Sequence, residues 1–313
     1  MSPSSTAIPK HINPVPQGSN GPNARFNRLS PPLIVIGMHR SGTSMVVGML
    51  HKLGVYMDPE MLDSEVSGQL QSERSRTDGY GEAVAFRLAN EAVMRRANAD
   101  WQYPEQFLER RDLPAFAKGC NQLLNIAAST SLQSDYLDKY PGRAPQLWGW
   151  KDPRTSLTLP YWLKLFPEAR LLHVRRDPEA VIKSLQKRDI EVAAAAAQAP
   201  LPSSLERLRN ALTHPAVLAD AVKRRLGIPV AVRAPMKHSD WLHLTEIYVD
   251  ECLKYVGHLP GYLEINYEAI LRDPNGSTRL IAEFAGVDLA SGKLDKAASF
   301  VMVDRGASRQ PTP

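Results

Sequence analysis

Cysteine is scarce in this sequence: Cys120 and Cys252 are the only two in 313 residues. Both fall in amphipathic helical patterns, which argues against a disulfide framework and for a reducing, cytoplasmic setting. Two cysteines also leave too few ligands for a cysteine metal cluster. Long apolar runs are missing as well. With no stretch of about eighteen apolar residues and no charged-then-apolar amino terminus, neither a membrane span nor a signal peptide is visible. The sequence has no basic run interleaved with aromatics, so its net charge of +5 is too diffuse for nucleic acid and suits an anionic ligand instead. It shows no internal repeat.

What is present is ordinary for a globular protein, with 43% hydrophobic and 23% charged residues. Residues 1–30 carry Pro3, Pro9, Pro14, Pro16 and Pro22 among Ser, Asn and Gly and read as a disordered leader. Residues 307–313 read as a frayed tail. Between them we expect one α/β domain over 31–306, with 191–260 as a helical insertion or lid.

The domain is organised around Leu33-Ile34-Val35-Ile36 and the residues that follow. These four read as a buried strand, Gly37 to Gly42 as a tight turn, and Thr43 to Leu53 as a helix closed by Gly54. A loop between a strand and a helix start presents backbone N–H groups and the positive end of the helix dipole to an anion such as phosphate. Arg40 adds a cation, and Ser41, Thr43 and Ser44 add hydroxyls. The stretch nearly matches the G-x-x-x-x-G-K-[ST] nucleotide loop, but Thr43 stands where lysine belongs and the cation has moved to Arg40.

Further strands are expected at Leu147–Trp150, Arg170–Val174 and Gly261–Tyr267. Helices are expected over 82–98, 113–129, 157–166, from Pro178 with Asp177 as cap, over 240–256, and from Ser277 or Thr278 to Gly286. Strands alternating with helices imply an open, mostly parallel sheet covered on both faces, with ligands at the carboxyl ends of the strands. Three basic clusters stand at those ends: Arg40, Lys151 with Arg154, and Arg175 with Arg176. All three are expected to open onto one crevice, with the Lys151-to-Arg154 tetrapeptide turning outward because Pro153 disfavours helix at Asp152.

Four motifs now carry a resemblance. Gly37-Met38-His39-Arg40-Ser41-Gly42-Thr43-Ser44 resembles the 5′-phosphosulfate loop of sulfotransferases that use 3′-phosphoadenosine 5′-phosphosulfate. Arg176 followed eight residues later by Ser184 resembles their 3′-phosphate element. Trp150-Lys151-Asp152-Pro153-Arg154 and the segment Asn266 to Pro274 resemble landmarks of the bacterial and protein-tyrosine branches. The resemblance spans residues 32–305 in order. It implies a nucleotide-loop sulfotransferase fold and a donor held by Gly37, His39, Arg40, Ser41, Gly42, Thr43 and Ser44 at one end. Arg176 and Ser184 would hold the other end, with Arg305 closing over it. It implies Lys151 and Arg40 at the transferring group, no required metal, and a hydroxylated glycan, lipid or small molecule as acceptor.

Cytosolic relatives place a histidine two residues beyond the equivalent of Lys151, where this sequence has Pro153. A carboxylate base is therefore expected, Glu82 first, with Glu60, Asp58, His39 and His51 as competitors. Two other functions stay open: a nucleotide-dependent kinase with a degenerate loop, and an inactive nucleotide-binding protein.

Overall fold

Four short strands, each followed by a helix, form one parallel sheet in the computed structural model. The structure describes residues 25–59, 81–198, 236–257, 261–289 and 292–307, with side chains described except at 192–198 and 302–307. In chain order the elements are β1 (Leu33–Ile36), α1 (Thr43–Lys52), α2 (Val84–Arg95), α3 (Glu105–Arg110), α4 (Pro114–Ser129) and α5 (Ser131–Ser134). There follow β2 (Gly149–Lys151), α6 (Thr155–Leu165), β3 (Arg170–Arg175), α7 (Pro178–Gln198), α8 (His238–Leu253) and β4 (Tyr262–Asn266). The last are α9 (Tyr267–Arg272), α10 (Pro274–Ala285) and α11 (Lys293–Ala307). Among the described residues no helix is long and apolar enough to cross a membrane.

The strand order is β2-β1-β3-β4, with Leu33 opposite Gly149 on one side and Arg170 on the other. The chain leaves β1 toward one neighbour for β2 and toward the other for β3. A crevice therefore opens at the carboxyl end of β1, where ligands of such sheets bind. Because side chains alternate along a strand, β1 feeds two cores at once. Ile34 and Ile36 join Trp150, Leu171 and the apolar faces of α2, α4, α6 and α8, while Leu33 and Val35 join Leu172, Val174, α1, α10 and α11. Each such side chain contributes roughly 1.5–3 kcal/mol by burial. An aromatic stack fills the first core, with Phe86 on Trp150 at 4.3 Å and Trp150 against Trp162 at 5.0 Å.

Several boundaries differ from expectation. The helix after β2 begins at Thr155 because the Thr155 N–H donates to the Asp152 carbonyl (2.9 Å), which carries the turn straight into α6. The segment 152–154 is therefore not turned outward: Asp152 is fully buried, and its charge is matched locally. Helix α10 starts at Pro274, since the Asp273 carboxylate accepts from the Gly276 N–H at 2.9 Å. Helices α3, α5 and α11 carry no clear sequence signal. Within residues 25–30, expected as part of the leader, Phe26 is packed. It is buried against Trp148 at 5.3 Å and Phe166 at 5.7 Å. Residues 1–24, the segment 199–235 of the expected insertion, and the tail from 308 lie outside the described residues.

Candidate active site

The chain leaves β1 and enters α1 through a loop whose two end positions, Gly37 and Gly42, admit only glycine without a clash. Gly37 has φ +141°, and a Cβ there would meet the Val174 carbonyl at 2.5 Å; its N–H donates to Ser156 Oγ at 3.0 Å. Gly42 has φ +94°, and a Cβ there would lie 2.2 Å from the Tyr267 ring. Arg40, though not glycine, is held at φ +66°. Such a conformation costs on the order of 1–3 kcal/mol and persists where surrounding structure enforces it, most often at functional sites. The Ser41 N–H is used within the loop, donating to the Met38 carbonyl at 3.2 Å. A helix start presents backbone N–H groups to an anion; in α1 the Met45 N–H is already used, donating to the Gly42 carbonyl at 3.1 Å.

Arg40 does not stand alone. Its Nε donates to Ser184 Oγ at 2.9 Å, and Arg176 Nη1 donates to the Arg40 carbonyl at 3.1 Å. The loop, the end of β3 and α7 are thus tied at one point. Burial, then Arg188 and Arg176, hold the Arg40 guanidinium below its ordinary pKa. Arg40 and Arg176, tied through the Arg40 carbonyl, form a cationic pair whose repulsion an anion between them would relieve. Arg176 lies 4.6 Å over the Tyr267 ring, its Nε is buried without a hydrogen-bond partner, and Glu268 approaches it only to 4.0 Å. Asp177 caps α7 by accepting from the Ala180 N–H at 2.8 Å, while Glu268 accepts from the Asp177 N–H at 3.3 Å. Arg175 is the exception among the expected cations. It pairs with Glu264 on β4 at 3.1 Å, because strand alternation sends it away from Arg176.

On the other side of the loop, Lys151 is buried at the end of β2. Its ammonium donates to Ser44 Oγ at 3.3 Å and to Glu82 Oε1 at 3.2 Å. Arg154 reaches Glu82 at 3.5 Å and Asp152 at 2.9 Å. Burial raises the Glu82 carboxyl above the ordinary range, Lys151 and Arg154 draw it back, Asp152 adds to the rise, and the net shift is upward. Asn90, on the buried face of α2, holds this network in place. It donates to Asp152 at 2.8 Å and Thr155 at 2.9 Å, and accepts from Thr158 at 2.6 Å and the Trp162 indole at 2.7 Å. Its amide is fully used.

His39 packs against Trp101, with ring centroids 4.1 Å apart, and against Tyr248 at 6.1 Å. Burial, followed by Arg154, Arg188, Lys151 and Arg40, keeps this imidazole well below its ordinary pKa and therefore neutral. Asp58 is buried near Tyr136, whose pKa it helps raise after burial. His51 lies in the last turn of α1. Glu60 and the Arg305 side chain lie outside the described residues. Sequence reasoning missed Asn90, Trp101, Arg188 and Tyr267 as site residues. A polar Asn90 among apolar helix positions was the one signal available in advance.

A family model described as Sulfotransferase family matches residues 31–222. Comparison with curated proteins gives no match. Among solved structures, the chain is similar to sulfotransferase STF9 from Mycobacterium avium at 19% identity and a TM-score of 0.43, covering 90% of this chain and 69% of that one. It is similar to sulfotransferase STF1 from Mycobacterium tuberculosis H37Rv at 13% identity and 0.46, covering 87% and 71%. It is also similar to a retinol dehydratase in complex with androsterone and inactive cofactor PAP at 18% identity and 0.39, covering 90% and 65%.

Proposed function

Because the chain belongs to the sulfotransferase family, we propose that it moves a sulfuryl group from 3′-phosphoadenosine 5′-phosphosulfate to an acceptor hydroxyl by in-line displacement, with carbohydrate a suitable acceptor class. The observation that carries this reading is the meeting of Arg40, Arg176 and Ser184 on one side of the loop with the Lys151–Glu82 pair on the other. Bound there, the donor supplies the sulfuryl group and departs as the 3′,5′-bisphosphate.

The residues present fit a ligand that is anionic at both ends. Arg40 and the first-turn amides of α1 would take the 5′ end, and Arg176 with Ser184 the 3′-phosphate, replacing the direct Arg40–Ser184 bond. Lys151 would face the oxygen on which negative charge develops. Preorganised cations in a water-poor site stabilise that charge far better than solvent does. Glu82, beside Lys151, would receive the acceptor proton. Thr43 in place of a loop lysine speaks against a kinase.

Calorimetric titration with 3′-phosphoadenosine 5′-phosphate tests this. Wild type should bind. Arg40→Ala and Arg176→Ala should each weaken binding roughly 10- to 100-fold, the worth of about 1.5–3 kcal/mol for a charged hydrogen bond. Activity that requires ATP and magnesium, with no binding of the bisphosphate, would overturn the assignment.

A further inference from the structure

Most cations around the crevice have a carboxylate at hand: Lys151 has Glu82, Arg154 has Asp152, and Arg176 has Glu268 at 4.0 Å. Arg188 makes no ion pair among the described residues; its charge acts on the carboxylate of its chain neighbour Asp189. Its guanidinium lies over the Trp101 ring at 5.7 Å. It stands one helical turn beyond Ser184, so both project from the same face of α7. Ser184 faces Arg40, which sets Arg188 on the same side of the crevice, toward Trp101 and His39.

The surroundings of Arg188 are built and rigid. Tyr248, fully buried, donates its hydroxyl to the Trp101 carbonyl at 3.2 Å, and Trp241 stacks on Trp101 at 6.1 Å. His39 closes the group, its Nε2 buried and without a hydrogen-bond partner. A buried polar atom without a partner costs on the order of 1–3 kcal/mol unless something arrives to bond it. An aromatic platform, a neutral hydrogen-bonding nitrogen and a cation that makes no ion pair among the described residues are thus joined beside the Lys151–Glu82 pair.

We propose that Arg188, the platform of Trp101 and the Nε2 of His39 form the acceptor subsite, and that Arg188 selects ring-bearing hydroxyl compounds that also carry an oxyanion such as a carboxylate. This rests on the crevice being a sulfuryl-transfer site and names the class of acceptor it takes. The donor's charges are met by Arg40, Arg176 and the loop amides. Arg188 remains for the acceptor, and His39 Nε2 bonds a hydroxyl on the same ring. Arg188 is on this account a specificity-determining residue, separate from the groups that handle the reacting atoms.

The test begins with wild type binding the bisphosphate; failure at that step would overturn the sulfotransferase reading itself before any acceptor is added. The bisphosphate-loaded protein is then titrated with two matched pairs, methyl glucuronide against methyl glucoside and 4-hydroxyphenylacetate against 4-hydroxyphenylacetamide. The acid of at least one pair should bind on the order of tenfold more tightly than its neutral partner. Arg188→Gln should abolish that preference and Arg188→Lys retain part of it, while affinity for the bisphosphate is kept in both. Equal binding within both pairs, or no binding by any of the four compounds, overturns the inference. So does loss of bisphosphate affinity in Arg188→Gln with the acid preference intact, which would assign Arg188 to the donor.

Discussion

Burial lifts the Glu82 carboxyl above the ordinary glutamate range, Lys151 and Arg154 oppose the rise, and the balance stays upward. A base acts in its deprotonated form, so the rate should climb as pH rises through this group, in a limb displaced upward from that of a solvated glutamate. Glu82→Gln should keep bisphosphate affinity, lower kcat by roughly 10²- to 10⁴-fold, and remove that limb from the pH–rate profile. A profile that keeps its acid limb in the variant would assign Glu82 to holding Lys151 and send the search for the base elsewhere. The resemblance implies that Lys151 approaches the transferring group. In the structure its ammonium is shared between Ser44 and Glu82, an arrangement the spacing of three distant segments could not disclose.

The loop between β1 and α1 and the turn that opens α9 operate as one unit. Tyr267 lies against Gly42 on one side and beneath Arg176 on the other. Tyr267 and Glu268, which open α9, locate the cation at the end of β3: Tyr267 lies under Arg176, and Glu268 accepts from the Asp177 N–H. Gly42→Ala would need φ +94° and a Cβ 2.2 Å from the Tyr267 ring, so either the ring or the loop must move. Strain of this kind costs on the order of 1–3 kcal/mol. The variant should melt several degrees lower and bind the bisphosphate more weakly. Tyr267→Ala in the same background should recover melting temperature by removing the clash, yet leave binding weak because Arg176 loses its ring. Failure of the double variant to regain stability would show that the backbone angle, rather than the ring, is the cause.

Across the molecule, the sheet joins two separate cores, and its inner strand β3 carries a buried titrating group. His173 on β3 is held down to about 3 by burial, with Arg175 adding to the effect. Its Nδ1 shares a hydrogen bond with the Tyr262 hydroxyl at 2.7 Å. Glu264 lies 3.4 Å away but is engaged by Arg175, which limits its pull on the imidazole. The folded pKa is depressed, so the sign follows directly. Above about 6.5 the ring is neutral in both states and its contribution is intact. As pH falls below that value the unfolded chain takes up a proton that the native state refuses, and stability drops by about 1.4 kcal/mol per pH unit until the folded pKa is reached. His173→Gln should flatten the fall of melting temperature between about pH 6 and 4. An unchanged slope would place the acid sensitivity at other groups, His39 foremost, since its depressed pKa acts with the same sign.

Much of this architecture is written locally. A β-branched run, a Gly-bounded turn and an amphipathic helix specify β1, its loop and α1 because each follows from backbone sterics and periodicity within about twenty residues. The same reasoning located β2, β3 and β4, while the pairing of Arg176 with Ser184 rested on the resemblance of that segment to a 3′-phosphate element. Folding settled what depends on contacts between segments far apart in the chain. Arg175 parted from Arg176, Asp152 went inward rather than outward, Asn90 became the bracket of a buried ion network, and Arg188 came to lie over Trp101. These outcomes depend on which charges share a desolvated space. No one-dimensional pattern encodes that, because the cost of burying a charge is set by the partner that folding brings beside it.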